Sequence, residues 1–345
     1  FSIAYTNYRD LLLTNGGTVA MGSNLANNLI GNAGANILDG GAGADILAGL
    51  GGDDIYIVDD AGDVIVEAAG AGNDEIRTSV SYALGAGSHV ERLVTNNAAG
   101  TINLTGNELV QELVGNAGTN MLDGGAGADT LRGLGGNDIY IVDNTGDVVV
   151  EASGEGIDEV RVSLNYTLAA NAHVEKLVTT NSSGTDAIDL IANAHVLELT
   201  GNAGENLLLG NALANTLDGG VGADAMIGLG GDDIYIVDNF ADQVTEISGG
   251  GADEIRTSVS YALANGVSVE RLVTTNAAGT GALNLTGNAL VQDISGNAGA
   301  NVLDGGGGND TLRGLGGDDT YLVDNAGVTI VENAGAGYDT LVTSI

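Results

Sequence analysis

Apolar and polar positions alternate along this chain with a period far too long for a helix face and too regular for loops. From Gly22 the sequence reads "GSNLANNLI", "GNAGANILD" at Gly31, "GGAGADILA" at Gly40 and "GLGGDDIYI" at Gly49. Each nine-residue unit has a glycine-rich half and a three-residue β-type half with an apolar centre at its eighth position: Leu29, Leu38, Leu47, Tyr56. Glycine reaches the positive φ of a tight turn at little cost, so the first half reads as a turn and the second as a short strand. Three residues cannot make an independent hairpin, but coils stacked on one another can build parallel sheets around a thin apolar core. The pattern predicts an all-β solenoid with its eighth positions inward.

The units sit inside a longer repeat. "GGAGADILAGLGGDDIYIVD" at Gly40 returns as "GGAGADTLRGLGGNDIYIVD" at Gly124, "GGVGADAMIGLGGDDIYIVD" at Gly219 and "GGGGNDTLRGLGGDDTYLVD" at Gly305, offsets of 84, 95 and 86 residues. One extra unit, "GNALANTLD" at Gly210, explains the long offset. "DEIRTSVSYAL" at Asp74 likewise returns as "DEVRVSLNYTL" at Asp158 and as "DEIRTSVSYAL" at Asp253. The array divides into 1–21, the tail of a preceding copy, then 22–105, 106–191, 192–286 and a truncated 287–345. "SIAY" at Ser2 matches "SVSY" at Ser79, so the sequence reads as a window cut from a longer array, and Phe1 as the start of a processed or excised piece. Segments such as "RTSVSYALGAGSHVERLVTNNAAGTINLTG" suit either coils of a wider solenoid or small β caps.

Composition sharpens this. The 345 residues carry 46 acidic and 9 basic side chains, a formal charge of −37, with 58 Gly and no Pro, Cys or Trp. Self-repulsion on this scale opposes a compact state unless cations relieve it. Nucleic acid is excluded as a partner, because phosphate contacts need clustered Lys and Arg. No apolar run is long enough for a membrane span. Absence of cysteine removes disulfides and thiolate metal sites.

Stacked turns would lie about 4.8 Å apart. Sixth-position aspartates Asp45 and Asp54, Asp129 and Asp138, Asp224 and Asp233, Asp310 and Asp319 would then form carboxylate columns beside carbonyls freed by the glycine turns. A flexible cage of six or more oxygens suits Ca²⁺ and suits Mg²⁺ poorly. Asn27, Asn36, Asn120, Asn206, Asn215 and Asn301 hold the same position, as do Gln111 and Gln292; an amide oxygen can ligate with less charge, so these units are expected to bind weakly or to cap. Leu197 holds it in "ANAHVLELT", a unit expected to bind nothing. Asp74, Asp158, Asp253 and Asp339, each closing a later G-x-G-x-D-like run, are second-tier candidates. Glu67, Glu151, Glu246 and Glu332 read as a solvated face, and Tyr56, Tyr140, Tyr235 and Tyr321 as fillers of a broader core end.

The pattern G-G-x-G-x-D-x-U-x, with U apolar, resembles the RTX (repeats-in-toxin) hemolysin-type nonapeptide repeat over nearly the whole chain. The resemblance implies a parallel β-roll with two nonapeptides per coil and on the order of a dozen Ca²⁺ between turns. It also implies type I secretion and folding outside the cell.

Catalysis finds no footing. His89 and His173 are equivalent positions replaced by Ser268 in the third copy, His195 stands where sister units carry leucine, and the paired carboxylates recur in every copy. A catalytic acid pair needs one distinctive environment. The leading expectation is therefore a non-enzymatic, calcium-binding extracellular array: a surface-layer (S-layer), adhesin or filament component whose further partners are copies of itself or cell-surface and matrix components. The alternative is the noncatalytic C-terminal region of a secreted protease, lipase or epimerase. A flat ice- or polysaccharide-binding face would need a denser outward Thr or aromatic ladder.

Overall fold

The structure, a computed structural model, describes residues 9–14, 16–96 and 100–345. Among these every regular element is a β-strand, mostly of three or four residues, and there is no helix, hence none long and apolar enough to cross a membrane. The match of Ser2 with Ser79 lies outside the described residues. The chain forms two compact units, Phe1–Leu164 with Leu168–Glu175, and Asn165–Thr167 with Lys176–Ile345.

In the first unit Leu11, Leu29, Leu47 and Ile65 pair in parallel succession on one sheet, and Ala20, Leu38 and Tyr56 on another. Partners in the nonapeptide blocks stand 18 residues apart, so one coil is two nine-residue units and consecutive units land on opposite sheets. The expected inward set is correct: Leu29, Leu38, Leu47 and Tyr56 have no exposed surface, while Ile46, one position earlier, points outward. This is the period-two alternation of a strand, confined to three residues.

The connecting segments prove to be coils of the same solenoid, of irregular length. Tyr56 pairs with Ile76, Ile76 with Leu93, Leu93 with Leu113 and Leu113 with Leu131 on one continuous sheet. The first two of these coils take 20 and 17 residues instead of 18. Tyr140 then falls on the other sheet, with Leu122 and Val160. Four and a half coils thus separate the two tyrosines, and equivalent turns of successive copies in this unit lie on opposite sheets.

The second unit repeats the arrangement. Leu199, Leu217, Tyr235, Ile255 and Leu272 follow one another on one sheet, and Leu190, Leu208, Met226 and Val244 on a second. A third carries Leu285, Leu303, Tyr321 and Leu341.

Basic side chains sit on outer strand faces. Arg92 bridges Glu75 and Glu112, with a 2.9 Å contact to the latter, and Lys176 meets Glu198 at 2.8 Å. Half-exposed pairs of this kind contribute about 0.2–1 kcal/mol each. They neutralise strand glutamates and leave the turn carboxylates to another partner.

Candidate metal centres

The turns are built by backbone geometry that side chains resist. In the first block Gly41 and Gly43 have φ of 73° and 118°. Gly40 is needed for space: a Cβ there would strike the Asp45 carboxylate, and one at Gly22 would strike the Gly40 carbonyl oxygen of the next coil. Carboxylate and carbonyl oxygens therefore crowd the gap between stacked turns.

The two aspartates of each sequence pair stand half a coil apart and begin separate columns. Asp45 Oδ1 accepts the Asn27 N–H at 2.6 Å, and Asp63 Oδ1 accepts the Asp45 N–H at 2.9 Å. On the other side Asp54 Oδ1 accepts from Asn36 N–H, Asp74 Oδ1 from Asp54 N–H and Glu91 Oε2 from Asp74 N–H, each at 2.7 Å. The second copy has the columns Gln111–Asp129–Asp147 and Asn120–Asp138–Asp158–Glu175. In the second unit the third copy has Asn206–Asp224–Asp242 and Asn215–Asp233–Asp253–Glu270. The fourth has Gln292–Asp310 and Asn301–Asp319–Asp339, the last residue exposed; Val328 stands where Asp63 has its counterpart. The strand at Thr216 takes its coil bond from the Leu197 carbonyl, at a turn without a carboxylate.

In every column at least one carboxylate oxygen is left over. Oδ2 of Asp45, Asp54, Asp74, Asp129, Asp138, Asp158, Asp224, Asp233, Asp253, Asp310 and Asp319 is buried and accepts no hydrogen bond. A buried, unpartnered carboxylate oxygen is costly, and its energy falls when a cation meets it or when it is protonated. Burial pushes the Asp54 carboxyl up to about 7; the Asn36 N–H offsets part of this, and the charges of Asp74 and Glu67 add to it. Asp45 and Asp74 rise to about 6 for the same first reason. Asp129 and Asp233 reach about 7, and Asp138, Asp158, Asp224 and Asp253 about 6, again led by burial. The ionised form of each group calls for positive charge.

Asparagines at the same position behave differently. Asn36, Asn120, Asn206, Asn215 and Asn301 use Oδ1 to accept an N–H four residues earlier in their own turn, at 2.7–2.8 Å. Asn120, Asn206 and Asn215 donate their amide N–H to a carbonyl of the preceding coil at 2.7–3.0 Å, and Asn301 does so at 3.1 Å. Asn27 likewise accepts from Ser23 N–H.

One expectation is overturned. Glu67, Glu151 and Glu246 do not form a solvated face: they are 5, 3 and 4% exposed, and Glu332 alone is open. The cause is strand alternation, since in "VIVE" Ile65 and Glu67 both point inward. The inward tyrosines fill the core as expected, but each also donates its hydroxyl to one of these glutamates: Tyr56 to Glu67, Tyr140 to Glu151, Tyr235 to Glu246. Each glutamate joins two column aspartates. Ligand atoms of Asp54, Glu67 and Asp74 lie within 4.8 Å of one another, as do those of Asp138, Glu151 and Asp158, of Asp233, Glu246 and Asp253, and of Asp319, Glu332 and Asp339. Burial raises Glu151 to about 9 against the lowering hydrogen bond from Tyr140. Sequence reading also passed over Asp63, Asp147 and Asp242, each visible 18 residues beyond a sixth-position aspartate, and the column ends Glu91, Glu175 and Glu270.

A parallel solenoid whose glycine turns stack buried carboxylates with oxygens to spare is a repeat fold of the structural, cation-binding class. The RTX calcium-binding nonapeptide repeat matches the chain in four copies, at residues 21–56, 106–149, 200–243 and 286–321. The chain carries four copies of that repeat, and its parallel β-solenoid has the architecture of the RTX β-roll. No curated protein matches it.

Proposed function

We propose that this chain is a non-enzymatic, extracellular structural or adhesive array that folds when Ca²⁺ fills its turns after secretion. The observation that carries the reading is the recurrence, in all four copies, of buried aspartates with an oxygen that no hydrogen bond satisfies. Asp45, Asp54, Asp129, Asp138, Asp224, Asp233, Asp310 and Asp319 are assigned as primary ligands, with turn carbonyls completing the shell. Asp74, Asp158, Asp253 and Asp339 extend the second column of each copy, and each asparagine caps the column that it heads, since both ends of its amide have partners within the chain.

Each ion would stitch one coil to the next. A site filled at a hundred times its Kd stabilises the folded state by about 2.7 kcal/mol, and many sites compound the effect. Without ions, carboxylate repulsion and glycine entropy dominate. Affinities of about 10⁻⁴–10⁻³ M, usual for extracellular calcium modules, would keep the chain loose where calcium is scarce.

Far-UV circular dichroism of the calcium-stripped chain during Ca²⁺ titration, with Mg²⁺ as control, tests this. A cooperative gain of β signal with Ca²⁺ alone is expected, and Asp129→Ala with Asp138→Ala should loosen the second copy first, because solenoid stability is mainly nearest-neighbour. A chain equally folded with and without calcium would sink the proposal.

A further inference from the structure

The Asp54–Glu67–Asp74 cluster stands apart from the nonapeptide turns in three respects. First, it straddles the end of the repeat: the family match stops at residue 56, so Asp54 lies inside it and Glu67 and Asp74 outside. Second, it is off period. Asp74 follows Asp54 by 20 residues, where the coil first departs from 18, and Glu67 reaches in from the intervening half-coil. Third, it is closed: the three carboxylates are 0, 5 and 1% exposed.

Its free valences converge. Oδ1 of Asp54 and of Asp74 is spent on backbone N–H groups, and Oδ2 of each is buried without a partner. The Glu67 carboxylate accepts the Tyr56 hydroxyl and the Ala68 N–H, and still presents an oxygen within 4.8 Å of both aspartates. The second copy leaves Oδ2 of Asp138 and Asp158 and Oε1 of Glu151 unpartnered, and the third leaves Oδ2 of Asp233 and Asp253.

We propose that these three clusters are dedicated junction sites, each holding one divalent calcium-type cation where a nonapeptide block passes into its connecting segment. The inference rests on the calcium reading of the turns, since Asp54 and Asp74 belong to both. The donors are oxygens only, one from each of three carboxylates, and a hard oxygen cage of this kind suits Ca²⁺. Mg²⁺ retains several waters and is disfavoured in so closed a cage. Nitrogen and sulfur ligands, which thiophilic metals select, are absent from the clusters. The ion would tie three points of one coil together, the exit turn, the returning half-coil and the next turn. That is the place where the nine-residue register lapses and repetition alone no longer fixes the stacking. The fourth cluster, with Glu332 and Asp339 exposed, is an open and weaker version.

The test uses the full chain. Glu67→Gln, Glu151→Gln and Glu246→Gln combined keep an oxygen to accept from each tyrosine and remove the third carboxylate from each cluster. Bound calcium, measured by equilibrium dialysis, is expected to fall by three ions per chain, one per closed cluster, with the turn ions retained. An unchanged count overturns the junction sites and leaves the glutamates as hydrogen-bond partners of the tyrosines alone. Should that variant fail to fold, terbium luminescence decides. The chain has no Trp, so sensitised Tb³⁺ emission must come through tyrosine. Tyr56→Phe, Tyr140→Phe and Tyr235→Phe combined keep every carboxylate and are expected to cut sensitised emission several-fold at unchanged Tb³⁺ occupancy. Undiminished emission would place the ions away from these rings and overturn the proposal. A parent chain that takes up no calcium overturns the turn reading itself, and this one with it.

Discussion

The Tyr140 hydroxyl donates to the Glu151 carboxylate inside the solenoid, 11 residues further along the chain, while accepting the Gly133 N–H at 2.9 Å. One inward side chain thus joins the first residue of its own turn to a buried acid on the next half-coil. Removing the hydroxyl leaves Glu151 buried with one donor fewer. The penalty for stranding a buried polar group is about 1–3 kcal/mol, and more for a charge. In the fourth copy Tyr321 makes the same bond to Glu332 at 3.2 Å, where water can replace it. Both tyrosines also accept a buried glycine N–H, so Tyr140→Phe should lower the thermal midpoint of the calcium-loaded chain by more than Tyr321→Phe, the difference being the buried glutamate. Equal losses in the two variants would show that the buried tyrosine–glutamate bond carries no special weight.

The column carboxyls also set a pH dependence whose sign depends on calcium. In the ion-free fold burial raises Asp54 to about 7 and Asp45 to about 6, from 3.8. Between about pH 4 and 7 the fold then holds protons that the unfolded chain has released, so ion-free stability is greatest below pH 4 and is lost as pH rises toward 7. With calcium the order reverses, because a proton must leave before the ion binds. The stripped chain should gain β signal as pH falls from about 7 to 4, and the thermal midpoint of the chain at fixed calcium should shift downward. Changes in the same direction under the two conditions would mean that ions and protons do not share these oxygens.

What the sequence revealed and what it concealed follow from the same period. Wherever nine residues repeat, the inward set and the turn aspartates can be read directly, because Leu29, Leu38, Leu47 and Tyr56 keep strict phase and glycine marks each turn. The coil itself is two such units, so Asp63 was within reach as the residue 18 beyond Asp45; it lies in a segment that no longer looks like a nonapeptide. Glu67 was harder to find. Its burial requires extending the alternation of Ile65 by one step and noticing that a tyrosine at an inward position brings a polar tip needing a partner. The connecting coils carry no fixed period at all, with lengths of 20 and then 17 residues, and their stacking is set by inward residues such as Ile76 and Leu93 that only the pairing reveals.

Space and backbone angle make separable demands on the glycines. A Cβ at Gly133 would collide with the Asp138 carboxylate and the Tyr140 hydroxyl together. At Gly154, by contrast, φ is 83° and nothing lies within 4 Å. Gly154→Ala should cost only the left-handed conformation, about 1–2 kcal/mol. Gly133→Ala must displace two buried polar groups, a cost on the order of 3 kcal/mol, and should also weaken calcium binding in the second copy. Thermal midpoints with calcium titrations of both variants check this. If Gly133→Ala kept the parent's calcium affinity, the carboxylate beside it would not be a ligand.

Four leucines occupy backbone that leucine resists. Leu50, Leu134, Leu229 and Leu315 have φ between 74° and 80°, at the turn position where the preceding unit carries Gly41, Gly125, Gly220 or Gly306. Leu50 is 55% exposed, so little burial offsets the strain. Asparagine tolerates the left-handed region far better and avoids the extra unfolded-state freedom of glycine. Leu50→Asn should therefore stabilise the calcium-loaded chain by about 0.5–1 kcal/mol, a fraction of the roughly 1–2 kcal/mol that the left-handed conformation costs a side chain. The gain should appear as a higher thermal midpoint at saturating calcium, with the calcium count unchanged. A loss of stability would show instead that the leucine side chain holds its turn through contacts worth more than the strain, and that its return in every copy serves packing between turns.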